Sequence, residues 1–360
     1  MRGARAKGAA WRRGLPLLLA GVSAFALSCG APVSAGQAYT IKIGSLVTPW
    51  SVWGKVVAQV QKEAQKRTGG RVKIEHLHSG MLGGEKSMLE MVMLGGIHAA
   101  GLPSSSLAAL APEVNVLELP FLFDDYDEAY YLIDNVIAPH LRRKLLEKGL
   151  VSSAFMENGF MEFVAPRFIR SPVDLRGLKI GSWESPLHIA FWKALGAKPI
   201  PLPTTEVLNA HARGIVDSGA NSINALIAWD NLFGSALKRD RLYVTEVRYS
   251  YQAGVLVANA GTWKALPEEL RKTVDELLSE MTPVLRRRLR LAEPESRREL
   301  IARGYNVTSM SEGDRKAFIE KTARVYGEFE KKVGKEFLET VLAEREKYRA
   351  RMKEKDGKQD

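Results

Sequence analysis

From Tyr39 onward, the apolar residues change repeatedly between the spacing of a strand and the spacing of a helix. Residues 39–46 alternate between apolar and polar side chains, which is typical of a β-strand. Across residues 52–64 the apolar positions are four apart, which places them on one face of a helix that Gly69 and Gly70 would end. The alternation continues along the chain and predicts an α/β fold, with helices layered over a mainly parallel sheet.

The chain has 360 residues, which favours two lobes at about 100–200 residues per domain. Residues 151–164 are rich in apolar and aromatic side chains and are predicted to cross between the lobes, and residues 244–258 to return. The predicted organisation is a signal peptide (1–35), a first lobe (37–157 with 253–310), a second lobe (158–252), a C-terminal helical segment (311–352) and a frayed tail (353–360).

The first 35 residues have the layout of a secretory signal. Basic residues precede a short apolar run at 15–27, and small residues follow. Two processing sites are open: ordinary cleavage after Ala35, which we favour slightly, and lipidation of Cys29 in a lipobox-like sequence. Since Cys29 is the only cysteine, disulfides and a cysteine nucleophile are excluded. We expect a periplasmic protein, peripheral to the membrane only if Cys29 is lipidated.

Composition argues against several function classes. The net charge of +11 is due in part to the basic residues of the signal, so nucleic acid is a poor candidate partner. His76 and His78 are two apart, but no third metal ligand accompanies them. Ser104–Ser106 lacks the glycine elbow of a nucleophile. We therefore expect no catalysis, no metal and no cofactor.

Several motifs occur in an order found in one protein family. They are Ser79–Glu85, Leu119–Phe123, Asp174–Ile180, Ser185–Leu187, Ala194–Pro199, Gly214–Asp217 and Leu266–Glu269. Together they resemble the periplasmic substrate-binding proteins of TRAP transporters, the DctP type, over about residues 39–330. The resemblance implies a periplasmic-binding-protein fold, with two lobes, interlobe hinge strands and long bracing C-terminal helices. It also implies capture of a small molecule for TRAP permease subunits driven by an ion gradient, without chemistry on the ligand.

The same resemblance implies an arginine clamp that this chain lacks. In the family pattern an arginine follows the Leu-Lys-Ile strand and another follows a Gly-Phe pair, where this chain has Gly181 and Met161. Because arginine is the usual partner of a carboxylate, we predict a neutral or hydrophobic ligand, oriented by Asn221. The predicted ligand-binding residues are Trp50, Phe121, Met161, Phe163, Gly181, Trp183, Asn221 and Trp229.

Two alternatives are open. A relocated arginine, with Arg167 and Arg213 as candidates, would restore an organic acid as the ligand. Alternatively, the protein senses a ligand or shuttles lipid in the envelope without any permease.

Overall fold

The computed structural model of the protein describes residues 37–234 and 239–356. The predicted signal peptide, with Cys29 and both processing sites, lies outside the described residues, as do residues 357–360 of the predicted tail. Within the described ranges, none of the helices combines the length and apolar character that a membrane crossing requires.

Strands and helices alternate along the described chain, as the hydrophobic spacing predicts. The strands are β1 (Tyr39–Ser45), β2 (Val72–Leu77), β3 (Ala99–Pro103), β4 (Leu150–Phe160), β5 (Glu162–Ala165), β6 (Lys179–Ser182), β7 (Lys198–Pro201), β8 (Gly219–Asn221), β9 (Tyr243–Glu246), β10 (Tyr251–Asn259) and β11 (Asn306–Ser309). The helices are α1 (Val52–Arg67), α2 (Glu85–Met93), α3 (Tyr126–Leu132), α4 (Ala138–Glu147), α5 (Pro186–Ala194), α6 (Thr204–Ala212), α7 (Ile223–Phe233), α8 (Ala260–Ala265), α9 (Glu268–Ala302), α10 (Glu312–Val333) and α11 (Lys335–Asp356). Four 3-10 helices are also described: Ser104–Leu107, Pro112–Glu118, Pro172–Leu175 and Arg239–Arg241.

Two main sheets define two lobes. The first sheet has the order β2-β1-β3-β10-β4, in which β1 is parallel to β2 and β3, and β10 is antiparallel to β3 and β4. The second has the order β11-β9-β5-β8. The pair β6-β7 lies beside it through a bridge between Ile180 and Ser218. Both faces of the first sheet carry helices, which explains the apolar character of its strands.

The chain crosses between the lobes in two adjacent extended segments. Met161 separates β4 of the first sheet from β5 of the second, and residues 247–250 separate β9 from β10. The crossings are hydrogen-bonded to each other, since the Met161 N–H donates to the Ser250 carbonyl at 2.8 Å and the Tyr249 N–H donates to the Met161 carbonyl at 3.2 Å. These paired strands form the hinge region.

Long helices brace both lobes. Helix α9 has 35 residues and packs on α1 in the first lobe and on α7 in the second. In α10, the buried residues Phe318, Val325, Phe329 and Val333 recur at helical spacing. Phe318 packs in the core of the second lobe, whereas the other three pack in the core of the first. One amphipathic face of α10 therefore ties the two cores together.

The structure departs from the sequence predictions at five points. The sheets are mixed and not mainly parallel, since β10 is antiparallel to β3 and β4, and β5 is antiparallel to β8 and β9. The apolar spacing over residues 126–149 predicts one helix, but the structure has a π-helical segment at Ile133–Ile137 within it. The C-terminal helical segment is broken at Gly334, where φ is 91°, a value that favours glycine. Helix α11 continues to Asp356, so residues 353–356 are not a frayed tail. Strand β11 pairs with β9 in the second sheet, so the segment 253–310 does not belong wholly to the first lobe.

Glu162 places a buried carboxyl group beside the hinge. Its side chain accepts hydrogen bonds from the N–H groups of Val247 at 2.5 Å and Arg248 at 2.8 Å. Burial raises the pKa of Glu162 to about 8, although these two hydrogen bonds lower it. The folded chain therefore keeps a proton near neutral pH that the unfolded chain has released.

We expect this group to make the folded state less stable as pH rises from about 5 to 8. The free energy of unfolding should fall by up to about 1.4 kcal/mol per pH unit in this window, because the folded state binds the extra proton. Urea unfolding of the wild type and of Glu162→Gln across the window measures the difference. The buried histidines are common to both proteins, so the comparison isolates Glu162, and equal slopes would contradict the assignment.

Candidate functional site

A cleft opens between the lobes beyond the carboxyl ends of the parallel strands β1 and β3. The first lobe contributes side chains from residues 46–53 and from β3, β4 and β10, and the second contributes Trp183, Asn221, Trp229 and part of α7. In open α/β sheets, ligands commonly bind at such strand ends. The cleft has a volume of about 140 Å³, and most of its surface is apolar.

The polar groups of the first-lobe wall are mostly paired with each other. Asn158 donates a hydrogen bond to Gln252 at 2.5 Å, and the Trp53 indole N–H donates to the Glu157 carbonyl at 2.7 Å. The buried carboxylate of Glu157 is hydrogen-bonded by Tyr130 and paired with Arg290. This wall is therefore preorganised. The negative charge of Glu157 is compensated by Arg290, which does not itself line the cleft.

Asn221 supplies an unpaired donor at the other wall. It ends β8 and is only 3% exposed. Its Oδ1 atom accepts a hydrogen bond from the Ser222 N–H at 3.0 Å, which fixes the amide orientation. The Nδ2 atom is buried without a partner, so it can donate to an oxygen of a ligand.

No lysine, arginine or histidine side chain lines this cleft within residues 37–234 and 239–356. Trp183 and Trp229 are half-buried there and offer aromatic faces. The arrangement is that of a small-molecule site, with apolar walls and a few fixed polar groups.

Residues 43–332 match the DctP family, described as bacterial extracellular solute-binding protein, family 7. The chain belongs to this family. Its members bind solutes and are not enzymes.

One sequence relative and two solved structures illustrate the similarity. A C4-dicarboxylate-binding periplasmic protein DctP of Rhodobacter capsulatus is 27% identical over 333 residues, covering 90% of this chain and 96% of the relative. The sugar acid binding protein DctPAm of Advenella mimigardefordensis, solved with galactonate, superposes with a TM-score of 0.81 at 25% identity, covering 86% of this chain and 99% of that one. A TRAP periplasmic solute binding protein of Sulfurospirillum deleyianum with bound succinate gives 0.79 at 25% identity, covering 85% and 99%. The two-lobe fold predicted from the sequence is therefore confirmed.

The eight predicted ligand-binding residues of this DctP-family protein do not all reach the cleft. Trp183, Asn221 and Trp229 line it together. Trp50 is 47% exposed and is not among the lining residues. The structure thus brings together residues from three segments of the second lobe.

Three of the predicted residues lie in the core of the second lobe instead. Phe121, Met161 and Phe163 pack in one cluster with Tyr249, and Phe163 stacks on Tyr249 with ring centroids 5.2 Å apart. In this structure these three side chains do not line the cleft, and their contact with a ligand stays a prediction. The physical reason is that these side chains turn toward α5 and α10, which cover that face of the sheet.

Gly181 lies in β6, where its N–H donates to the Ser218 carbonyl at 2.8 Å. It does not itself line the cleft. A side chain at this position would contact Val207 and Val216, on the face of the sheet opposite to the one on which Ile180 packs. The candidate replacement arginines do not line the cleft either. Arg167 is exposed and donates to the Asp174 carbonyl, and Arg213 is exposed at the end of α6.

Sequence reasoning missed Trp53, Glu157, Asn158 and Gln252. Gln252 interrupts the otherwise apolar and aromatic run 251–258, and a polar residue in such a strand signals a hydrogen-bonded site. Glu157 and Asn158 give a weaker signal, because their strand also contains Ser152 and Ser153. Trp53 offered no such signal, because an aromatic residue on an amphipathic helix is ordinarily core.

The serine and histidine residues considered for chemistry have structural partners. Ser104 donates to Glu118 at 2.5 Å, and the same carboxylate contacts His188 at 2.5 Å. Because the acid lies between the serine and the histidine, the histidine does not face the hydroxyl as a base would. His76 contacts the Ser45 hydroxyl at 2.7 Å, and burial lowers the pKa of His76 to about 4.

Proposed function

We propose that this protein is the exported ligand-capturing component of a TRAP-type transporter driven by an ion gradient. Its two lobes would close on a small neutral or largely apolar molecule by motion at the paired hinge strands. Membership of the family supports solute binding. One observation supports a neutral or apolar ligand: aromatic and amide side chains line the cleft, and no described cation does.

A carboxylate in this cleft would lose its contacts with water without gaining a described cation as a partner. A charge-assisted hydrogen bond contributes about 1.5–3 kcal/mol, and a desolvated carboxylate without a partner is strongly penalised. The Glu157 carboxylate in the wall adds like-charge repulsion, although Arg290 compensates it. A neutral ligand avoids these costs, and burying its apolar area contributes roughly 25 cal/mol per Å².

The second candidate is an organic acid, which the relatives favour. The proteins named above bind C4-dicarboxylates, galactonate and succinate. For this chain an acid would require an arginine that enters the cleft only in another conformation. Such a ligand should bind more weakly as salt rises, because the salt screens the ion pair.

Export, location and partners complete the proposal. Residues 1–35 would direct the chain to the periplasm, with cleavage after Ala35 favoured over lipidation of Cys29. The first lobe would comprise residues 37–157 and the return segment that begins at residue 253. The second lobe would comprise residues 158–252 together with β11. The closed form would be recognised by the membrane permease subunits.

Native mass spectrometry of the protein purified from its host tests the ligand class. We expect a mass increment that denaturing extraction releases as a neutral, largely apolar compound, because the cleft has no described cation to hold an acid. Protein denatured, refolded and measured again without ligand is the control for adventitious adducts. Release of a mono- or dicarboxylate would instead establish the second candidate.

A further inference from the structure

We propose a second ligand subsite inside the second lobe: an apolar chamber that takes the alkyl chain of a neutral molecule whose oxygen accepts a hydrogen bond from Asn221. The chamber lies between the second sheet and helices α6 and α7. Its apolar walls are Val164, Val207, Val216, Leu226 and Leu242. This inference rests on the proposed binding of a neutral ligand in the cleft and names the shape that such a ligand needs.

The chamber adjoins the cleft. Asn221 and Trp229 line both spaces, so a molecule held at Asn221 can extend to either side. The chamber holds about 70 Å³ and the cleft about 140 Å³. A cavity of about 150 Å³ accepts benzene, so the two spaces together fit a ring that carries a short chain.

Two buried polar atoms of the chamber have no partner in the described structure. They are Asn221 Nδ2 and Ser218 Oγ, on residues that are 3% and 4% exposed. Buried polar atoms ordinarily find a partner, and a carbonyl or hydroxyl oxygen of a ligand would satisfy them. The Tyr305 hydroxyl also lines the chamber, but its proton is donated to Asp230 at 2.9 Å.

The chamber offers no charge to an ionised ligand. His211 is the one lining residue with a basic side chain among those described, and burial lowers the pKa of His211, although Asp217 raises it. The imidazole is therefore neutral near pH 7. An ionised group placed among these valines and leucines would be desolvated without a partner, so the ligand's apolar part belongs here.

Gly181 keeps the chamber open. A Cβ atom at this position would lie 3.3 Å from Val207 Cγ1 and 3.6 Å from Val216 Cγ2. Any longer side chain would extend among the chamber walls. The backbone of Gly181 is not in the left-handed region, so other residues can occupy the position without strain there.

Isothermal titration calorimetry with acetophenone, α-methylacetophenone (propiophenone) and α-ethylacetophenone (butyrophenone) tests the chamber on ligand-free mature protein. In these ketones the carbonyl lies between the ring, which the cleft would take, and the alkyl chain, which the chamber would take. Each compound has one acceptor oxygen and no charge. We expect affinity to rise about fourfold per methylene until the chamber is full. Gly181→Val should cancel this gain and leave acetophenone binding within about twofold, whereas Val207→Ala should retain the gain.

One control variant and two adverse results make the test decisive. Gly327→Val lies where an added side chain meets open space, so it should bind the series as the wild type does. Equal affinity across the series, unchanged in Gly181→Val, overturns the chamber and leaves a neutral ligand in the cleft standing. If none of the acetophenones binds and succinate does, the proposed neutral ligand class itself is overturned, and the chamber with it.

Discussion

Replacing His188 with leucine is expected to destabilise the protein by about 3–5 kcal/mol. His188, on α5, contacts the fully buried Glu118 carboxylate at 2.5 Å. The other carboxylate oxygen accepts hydrogen bonds from the Ser104 hydroxyl and the Ser105 N–H. Removing the histidine leaves the carboxylate oxygen that it contacts with only a long hydrogen bond from Gln252, at 3.5 Å. The buried charge thus loses its nearest partner at that oxygen, which accounts for the large effect.

Urea unfolding at neutral pH measures this effect. The matched control is the double variant Glu118→Gln with His188→Leu, which removes the charge together with its partner and should recover part of the loss. A loss below about 1 kcal/mol in His188→Leu would show that the carboxylate is already satisfied by Ser104 and Ser105. The Glu118–His188 pair would then contribute little to the packing of α5 against the first lobe.

The same pair predicts behaviour in acid. Burial raises the pKa of Glu118, but His188 and the hydrogen bonds from Ser104 and Ser105 outweigh it and hold the pKa below its usual range. A carboxyl group with a lowered folded pKa stabilises the protein above its unfolded pKa, and the stabilisation is lost as pH falls through the folded value. The wild type should therefore lose more stability on acidification than the double variant.

Local spacing predicted much of the fold. Val56, Val60 and Ala64 are buried on one face of α1, because a four-residue repeat leaves no other way to cover them. Ser311 caps α10 by accepting a hydrogen bond from the Asp314 N–H at 3.1 Å, and a serine followed three residues later by an acidic residue is typical of a helix start. Such features depend on neighbours within one turn of helix, which the sequence contains directly.

Features that depend on distant neighbours were not predictable in this way. Phe163 and Val164 are adjacent in β5, yet Phe163 packs in the core while Val164 lines the chamber. The alternation of a strand predicts that these two side chains face opposite sides of the sheet. It does not predict which side faces the ligand. Strand β11 was misplaced for a related reason, since its pairing with β9 joins residues about sixty positions apart.

The candidate site residues show the same difference between what local sequence determines and what distant neighbours determine. Asn221 was predicted from the family pattern, and the structure gives it an unpaired donor at the cleft. Met161 was predicted from the same pattern but is fully buried in the hinge. A motif fixes the place of a residue along the chain, whereas the direction of its side chain depends on the helices that cover the sheet.

Gly181→Arg is expected to convert the protein toward organic acids. The family pattern has arginine at this position, and its guanidinium would supply the cation that the described cleft lacks. One charge-assisted interaction contributes about 1.5–3 kcal/mol, so affinity for succinate should rise roughly 10- to 150-fold. Calorimetry with succinate at low and high salt measures the gain, which should shrink as salt rises.

Gly181→Met is the matched control, because it adds a side chain of similar length without charge. It should fill the chamber and weaken the longer acetophenones as Gly181→Arg does, but give no gain with succinate. A gain in both variants would mean that bulk and not charge selects the ligand. Strong succinate binding by the wild type, with no further gain in Gly181→Arg, would mean that a cation from elsewhere already reaches the ligand when the lobes close.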